Sequence, residues 1–264
     1  MMWSHGIPGY TKTGLGHEVL RCFKKMLDVG FSPNIVTYTG VLKACAMVGS
    51  LEIGQHVEDD IRKRGLLQRH VSLGNTLLGM YSSCCLMDKA REVFDSLPIQ
   101  NIVSWNALIS GYAQVGKLEE VLHIFDRMRT QHNMPDPITF VGVLNACNHG
   151  GLVDEGQMYF ETMIKDYGIT PTLEHHTCLV DLFGRSGQLQ KAIIAMEETL
   201  FYPNSVVWHA MLGACRKWGN VDLGKHAFQH VLQLNDKEDG AYTCMCNIYI
   251  DAKGSQCKNV EEAH

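Results

Sequence analysis

The chain repeats itself, and that limits its fold more than any other feature. Ile102-Val103-Ser104-Trp105-Asn106-Ala107-Leu108-Ile109-Ser110-Gly111-Tyr112 lies in register with Val71-Ser72-Leu73-Gly74-Asn75-Thr76-Leu77-Leu78-Gly79-Met80-Tyr81. A second column runs through Val41-Leu42-Lys43-Ala44-Cys45, Val143-Leu144-Asn145-Ala146-Cys147 and Met211-Leu212-Gly213-Ala214-Cys215. Together these columns divide the chain into repeats 1–34, 35–70, 71–101, 102–136, 137–172, 173–204, 205–238 and 239–264. The fifteenth place of a repeat holds Gly49, Gly116, Gly151, Gly187 and Gly219, and Gly14 answers to it in the first repeat, which lacks its opening residue. The exceptions are Cys85 and Lys253, the latter followed by Gly254. Self-similarity at 31 to 36 residues is the mark of a stacked-repeat architecture.

Each repeat reads as a helical hairpin. In 102–136, Trp105, Leu108, Ile109 and Tyr112 fall at i, i+3, i+4 and i+7, one face of a helix. Gly116 supplies the left-handed residue that ends it. Leu118, Val121, Leu122, Phe125 and Met128 form a second stripe, and Pro135 closes the repeat. One hairpin cannot bury both stripes, so it must stack on its neighbours. The expected fold is all-α: a right-handed superhelical solenoid of helix-turn-helix repeats, its first helices lining one surface, the candidate binding face.

Composition narrows the chemistry. Hydrophobic residues make up 45% and charged residues 19%, which argues against disorder. A net charge of −5 excludes a broadly basic nucleic-acid coat but not a local basic stripe. Ten cysteines spread over 264 residues form no disulfide framework and read as reduced and mostly buried. No apolar stretch approaches the roughly 18 residues of a membrane helix. Met1-Met2-Trp3-Ser4-His5 carries no transit leader, and the chain begins inside a repeat, so it reads as a fragment or a gene product lacking its start.

Apparent catalytic motifs are weak. His56-Val57-Glu58 matches half of a zinc deaminase signature, but Pro-Cys-x-x-Cys is absent, and the segment falls in the second helix of a repeat, where it reads as an exposed helix face. His226 and His230 stand at i, i+4 with no third ligand spaced nearby. Cys84-Cys85 and Cys244-Met245-Cys246 are not Cys-x-x-Cys pairs, and Gly150-Gly151 is a repeat turn without the Lys and Ser/Thr of a phosphate loop. The expectation is a non-enzyme with no metal and no cofactor.

A helical repeat near 34 residues is tetratricopeptide or pentatricopeptide in type. Ser104-Trp105-Asn106-Ala107-Leu108-Ile109-Ser110-Gly111-Tyr112, Ala113-Gln114-Val115-Gly116 and Met134-Pro135-Asp136 resemble the pentatricopeptide repeat (PPR). The alternation of standard, long and short repeats resembles the plant PLS subclass. Val206-Val207-Trp208-His209 through Arg216 resembles its E1 extension (205–238), and Ala241-Tyr242 with Asn247-Ile248-Tyr249 the start of a truncated or divergent E2 (239–264). Lys253 to Val260 departs from the family, and a complete E2 and a deaminase-like domain are not found.

The resemblance implies a reading pair in each repeat, its fifth and last residues, that selects one RNA base. By register the pairs are Ser4 with Asn34 (adenine), Asn75 with Asn101 (cytosine above uracil), Asn106 with Asp136 (uracil) and Thr177 with Asn204 (adenine). Thr39 with His70 and Val141 with Thr172 fit no strong rule, and His209 is assigned no base. The implied site is 5′-A-x-C/U-U-x-A-3′. Val36, Val103 and Ile138, at the second place, would sandwich bases, whereas Ser72 and Glu174 would not. Lys12, Arg185 and Lys217 would touch phosphates, or else simply cap helix ends. For Asn75 and Asn106 the competing reading is helix N-capping.

By resemblance the chain binds single-stranded organellar RNA, in mitochondrion or chloroplast, and selects sites for C-to-U RNA editing. Its partners would be editing-complex proteins or a deaminase acting in trans. A protein-interaction scaffold and a non-functional truncated product are the alternatives.

Overall fold

The computed structural model describes residues 15–198, 204–235 and 238–261, with side chains as far as residue 252. Among the described residues there are fourteen helices and no strand. They fall into two compact parts, Met1–Pro135 and Asp136–His264. The first part holds α1 (Gly16–Asp28), α2 (Ile35–Val48), α3 (Leu51–Lys63), α4 (Val71–Ser83), α5 (Met87–Ser96), α6 (Ile102–Gln114) and α7 (Leu118–Thr130). The second holds α8 (Pro137–Gly150), α9 (Val153–Lys165), α10 (Leu173–Arg185), α11 (Leu189–Glu197), α12 (Ser205–Trp218), α13 (Val221–Leu234) and α14 (Asp239–Glu261). No described helix is long and apolar enough to cross a membrane.

Within each part the arrangement is the same. The first helices stack in sequence, α2 on α4 on α6, and α8 on α10 on α12 on α14. From the second repeat to the seventh, each second helix packs against the first helix of its own hairpin, and α1 packs against α2. The stripes read from the sequence supply the core: Trp105, Leu108, Ile109, Val121, Phe125 and Met128 are almost fully buried, and Ile124 joins them. Phe94 meets Trp105 edge to face at 4.7 Å, tying α5 to α6. Cys45, Cys147 and Cys215 are completely buried; removal from water pushes their thiols up to about 12, about 11 and about 12, so they stay protonated and inert.

The turns within hairpins are left-handed. Gly49, Gly116, Gly151, Gly187 and Gly219 have φ between 68° and 81°. In the fourth repeat Lys117 N–H bonds to Tyr112 O at 3.0 Å, the closing bond of a Schellman turn. Cys85, the non-glycine at the same place, also takes the left-handed conformation, at φ 58°. Leu86 N–H closes this turn on Tyr81 O at 3.0 Å, and the cysteine bears the steric cost, about 1–2 kcal/mol.

The eighth repeat departs from the pattern. No turn forms at its fifteenth place, and α14 runs unbroken through Lys253 and Gly254 to Glu261.

Cys85→Gly is expected to stabilise the protein by about 0.5–1 kcal/mol, because relief of the left-handed strain exceeds the extra entropy of glycine in the unfolded chain. Gly151→Ala is expected to destabilise it by about 1 kcal/mol. Melting temperatures of the two variants should therefore move in opposite directions; a lower value for Cys85→Gly would contradict the strain at residue 85.

Candidate functional site

The helix starts create the site. The first helices α2, α4, α6, α8, α10, α12 and α14 begin on the opening residue of their repeats, so the last residue of one repeat is the N-cap of the next helix. Its side chain must satisfy amides that have no partner within the helix. Asn34 Oδ1 accepts from Thr37 N at 2.9 Å, Asn101 Oδ1 from Ser104 N at 3.1 Å, Asp136 Oδ1 from Thr139 N at 2.9 Å and Asn204 Oδ1 from Val207 N at 3.2 Å. Ser104 and Thr139 return the bond to the cap's own amide at 3.3 and 3.1 Å, completing capping boxes. His70 caps nothing with its side chain.

Capping therefore belongs to the last residues, not to Asn75 and Asn106. Those two lie inside α4 and α6, at the fifth place. In the third repeat the two members of the pair meet. Asn75 Nδ2 donates to Asn101 Oδ1 at 3.1 Å, and Ser104 Oγ donates to Asn75 Oδ1 at 2.7 Å. The Asn101 oxygen is occupied by this network and the cap, which leaves Nδ2 as the Asn101 group outside it. Ser104 is a residue that the sequence reading overlooked; its signal was the recurrence of a small hydroxyl at the third place, in Thr37, Ser104 and Thr139.

Asn75 and Asn101 line a groove of about 690 Å³ with Ser72, Val103, Lys43 and Met47. In the second part a groove of about 510 Å³ is lined by Thr177, Val206, His209, Asp181, Arg185 and Lys217. Thr177 Oγ1 donates to Leu173 O at 2.7 Å, so toward the groove its hydroxyl acts as an acceptor. Asn106 is buried, at 7% exposure, and Asp136 is half-buried. Ser4 and Lys12 lie outside the described residues.

The second place is apolar and bare. Val36 is 51% exposed, Val103 55%, Ile138 59% and Val206 57%. Burying a valine or isoleucine contributes roughly 1.5–3 kcal/mol, and the fold forgoes that four times at one place of the repeat. A single exposed aliphatic needs no explanation, but recurrence at a fixed place does. Ser72 and Glu174 occupy the same place elsewhere and are exposed too.

The cations are less available. Arg185 Nε is 3.0 Å from Asp181 Oδ1, and Lys217 Nζ donates to Arg185 O at 2.7 Å, the carbonyl that ends α10. Lys217 thus sits at a helix C-terminus, as the dipole favours. Lys43 is exposed on the first groove.

The motifs with metal-like spacing have structural roles. Glu58 is buried rather than on an exposed helix face; it accepts from Tyr81 Oη and from Arg62 Nε at 2.7 Å. His230 stacks on Trp208 at 4.1 Å with His226 edge-on to both rings. Among the described residues no three His, Cys, Asp or Glu side chains converge as metal ligands.

Stacked helical hairpins with polar pairs and bare aliphatics at fixed places define an α-solenoid repeat protein. The PPR repeat family matches residues 1–47 and 100–149, and the PPR repeat residues 75–101 and 138–167. The chain belongs to the PPR repeat family. It is 40% identical over 232 residues to the Arabidopsis thaliana pentatricopeptide repeat-containing protein At4g14820, covering 88% of this chain and 32% of that one. To the Arabidopsis thaliana chloroplastic protein CRR2 it is 39% identical over 253 residues, 95% of this chain and 38% of the relative. The chain thus spans about a third of the length of these relatives. The crystal structure of the pentatricopeptide repeat protein PPR10 in complex with an 18-nt psaJ RNA element shares the fold, with a TM-score of 0.78 and 17% identity over 96% of this chain and 38% of that one.

The fixed caps generate two predictions. Asn101→Ala is expected to lose about 1 kcal/mol, whereas Asn101→Asp keeps the cap and the stability, as denaturant titration would show. His175 adds a pH dependence. Thr172 N–H donates to its Nδ1 at 3.0 Å, so Nε2 carries the proton and meets Pro137 O at 2.9 Å. Burial lowers its pKa and that of His176 below the ordinary value. Stability from neutral rings is complete above about pH 6.5 and falls as the pH drops through the lowered folded-state values. The melting temperature should decline from pH 7.5 to 5.5, and His175→Thr should flatten that slope while His176 preserves part of it. An unchanged slope would contradict the lowered pKa of the buried His175 ring.

Proposed function

We propose that this chain is the base-reading part of a protein that binds single-stranded RNA by sequence in organellar RNA processing. The reading assigns it to C-to-U editing sites, with a deaminase supplied in trans. The observation that carries the proposal is the Asn75–Asn101 pair, joined at 3.1 Å in a groove beside the bare Val103. Support comes also from the RNA held by the PPR10 structure. Relatives named chloroplastic, such as CRR2, and mitochondrial, such as the protein At3g11460, favour an organelle.

The caps give the reading a chemical basis. In Asn101 the cap takes Oδ1, and the remaining amide donates; a base with adjacent acceptors, cytosine, suits it. A capping Asp136 offers only oxygens and suits the N3–H of uracil. Thr177 offers an acceptor and Asn204 an amide donor, matching adenine N6–H and N1. The bare Val36, Val103 and Ile138 would pack on base faces.

Charge decides how the affinity is divided. With Arg185 held by Asp181 and a net charge of −5, few phosphates are neutralised. One or two phosphate contacts on a single strand give a log–log salt slope near −0.7 to −1.4.

In a gel-shift at low salt with 5′-A-x-C-U-x-A-3′, the chain is expected to bind, and to lose less than about tenfold in affinity between 50 and 200 mM salt. Asp136→Asn should move the fourth-base preference from uracil toward cytosine, and Asn101→Asp the third from cytosine toward uracil. Specificity that ignores both changes would overturn the pair assignment; absence of binding even at low salt would overturn the RNA reading and favour a protein-binding scaffold.

A further inference from the structure

The seventh repeat, 205–238, resembles an extension rather than a reading repeat, yet it carries the parts of one. Val206, at its second place, is bare, as Val36, Val103 and Ile138 are. Its fifth residue is His209 and its last is Glu238, and the two meet: His209 Nε2 lies 3.1 Å from Glu238 Oε1. This bond repeats in different residues the junction of Asn75 with Asn101 at 3.1 Å.

The surroundings correspond as well. On their helices the groove of about 510 Å³ in the second part and that of about 690 Å³ in the first are lined from the same places of the repeat, and the larger also takes in Asn101 and Val103. Val206, His209 and Lys217 of α12 answer to Ser72, Asn75 and Ser83 of α4. On the preceding helix, Asp181 and Arg185 answer to Lys43 and Met47. Each groove has one bare aliphatic: Val206 at the second place of the seventh repeat, and Val103 beyond the third, where Ser72 stands in the place of Val206.

We propose that the seventh repeat reads one further base, immediately 3′ of the six-base site, through His209 and Glu238, and that the base is guanine. The inference rests on the RNA reading above. His209 Nδ1 meets Ser205 O at 2.6 Å and Nε2 meets Glu238 Oε1 at 3.1 Å; both partners only accept, so the ring holds the carboxylate as an imidazolium with an N–H on each nitrogen. A carboxylate accepts and cannot donate. Of the four bases, guanine places two adjacent N–H groups, N1–H and N2–H, on its pairing edge; both can be received by one carboxylate, as a guanidinium fork is. Uracil offers one such group. Adenine and cytosine add a ring acceptor, which would face the carboxylate lone pairs.

The test uses the full 264-residue chain at low salt with two RNA pools built on 5′-A-x-C-U-x-A-N-3′. One pool is randomised at the seventh base, the other at the fourth. The expected result is guanine enriched roughly fivefold or more at the seventh base and uracil at the fourth. Glu238→Gln and His209→Ala should each flatten the seventh position and leave the fourth unchanged, the retained fourth-base preference showing that both variants fold. Asp136→Asn should do the converse. A flat seventh position, a preference there for another base, or a guanine preference that ignores both substitutions overturns the proposal while the six-base reading stands. If the fourth position is flat as well, it is the RNA reading itself that fails.

Discussion

An α-helix begins with amides that have no carbonyl to receive them, and this molecule meets that need at four repeat junctions with one short side chain. Asn34, Asn101, Asp136 and Asn204 each place an oxygen on the third amide of the following helix. The bond fixes the rotamer of the cap and therefore fixes where its second polar atom points. In the third repeat the same cap receives Asn75, so a helix terminus and a groove residue share one hydrogen-bonded cluster. A side chain already held by the fold gives up little conformational freedom when a ligand arrives.

Much of this was legible in the chain itself, because repetition supplies its own alignment. The opening residues of seven repeats coincide with helix starts, and the fifteenth place coincides with the left-handed turn even where cysteine replaces glycine. The apolar stripes around Trp105 and Phe125 are buried as their spacing required. These features are local, set by three or four neighbouring residues.

What was not legible depends on residues far apart in the chain. Nothing in the sequence around His56 shows that Glu58 turns inward to Tyr81, 23 positions later. Arg185 and Lys217 occupy the same place of their repeats, yet one is spent on Asp181 and the other on a carbonyl at the end of α10. The single helix α14 runs straight through the turning place of the eighth repeat, whereas the third repeat turns there without a glycine, so the residue at that place does not by itself decide the turn. The bond between His209 and Glu238 likewise joins residues 29 positions apart, and only the register hints at it.

The double duty of the junction residue has an evolutionary consequence. Helix starts tolerate Asn, Asp, Ser and Thr with nearly equal stability, and very few other residues. Under the proposed RNA reading, exchange within that small alphabet would alter which edge of a nucleotide is welcomed while leaving folding almost untouched. New targets would then be reached one point mutation at a time, through intermediates that all fold. A change outside the alphabet gives up the cap bond, as His70 does before α4. Diversification of such a protein should follow the cheap exchanges, so that its lineage drifts among neighbouring targets rather than leaping between distant ones.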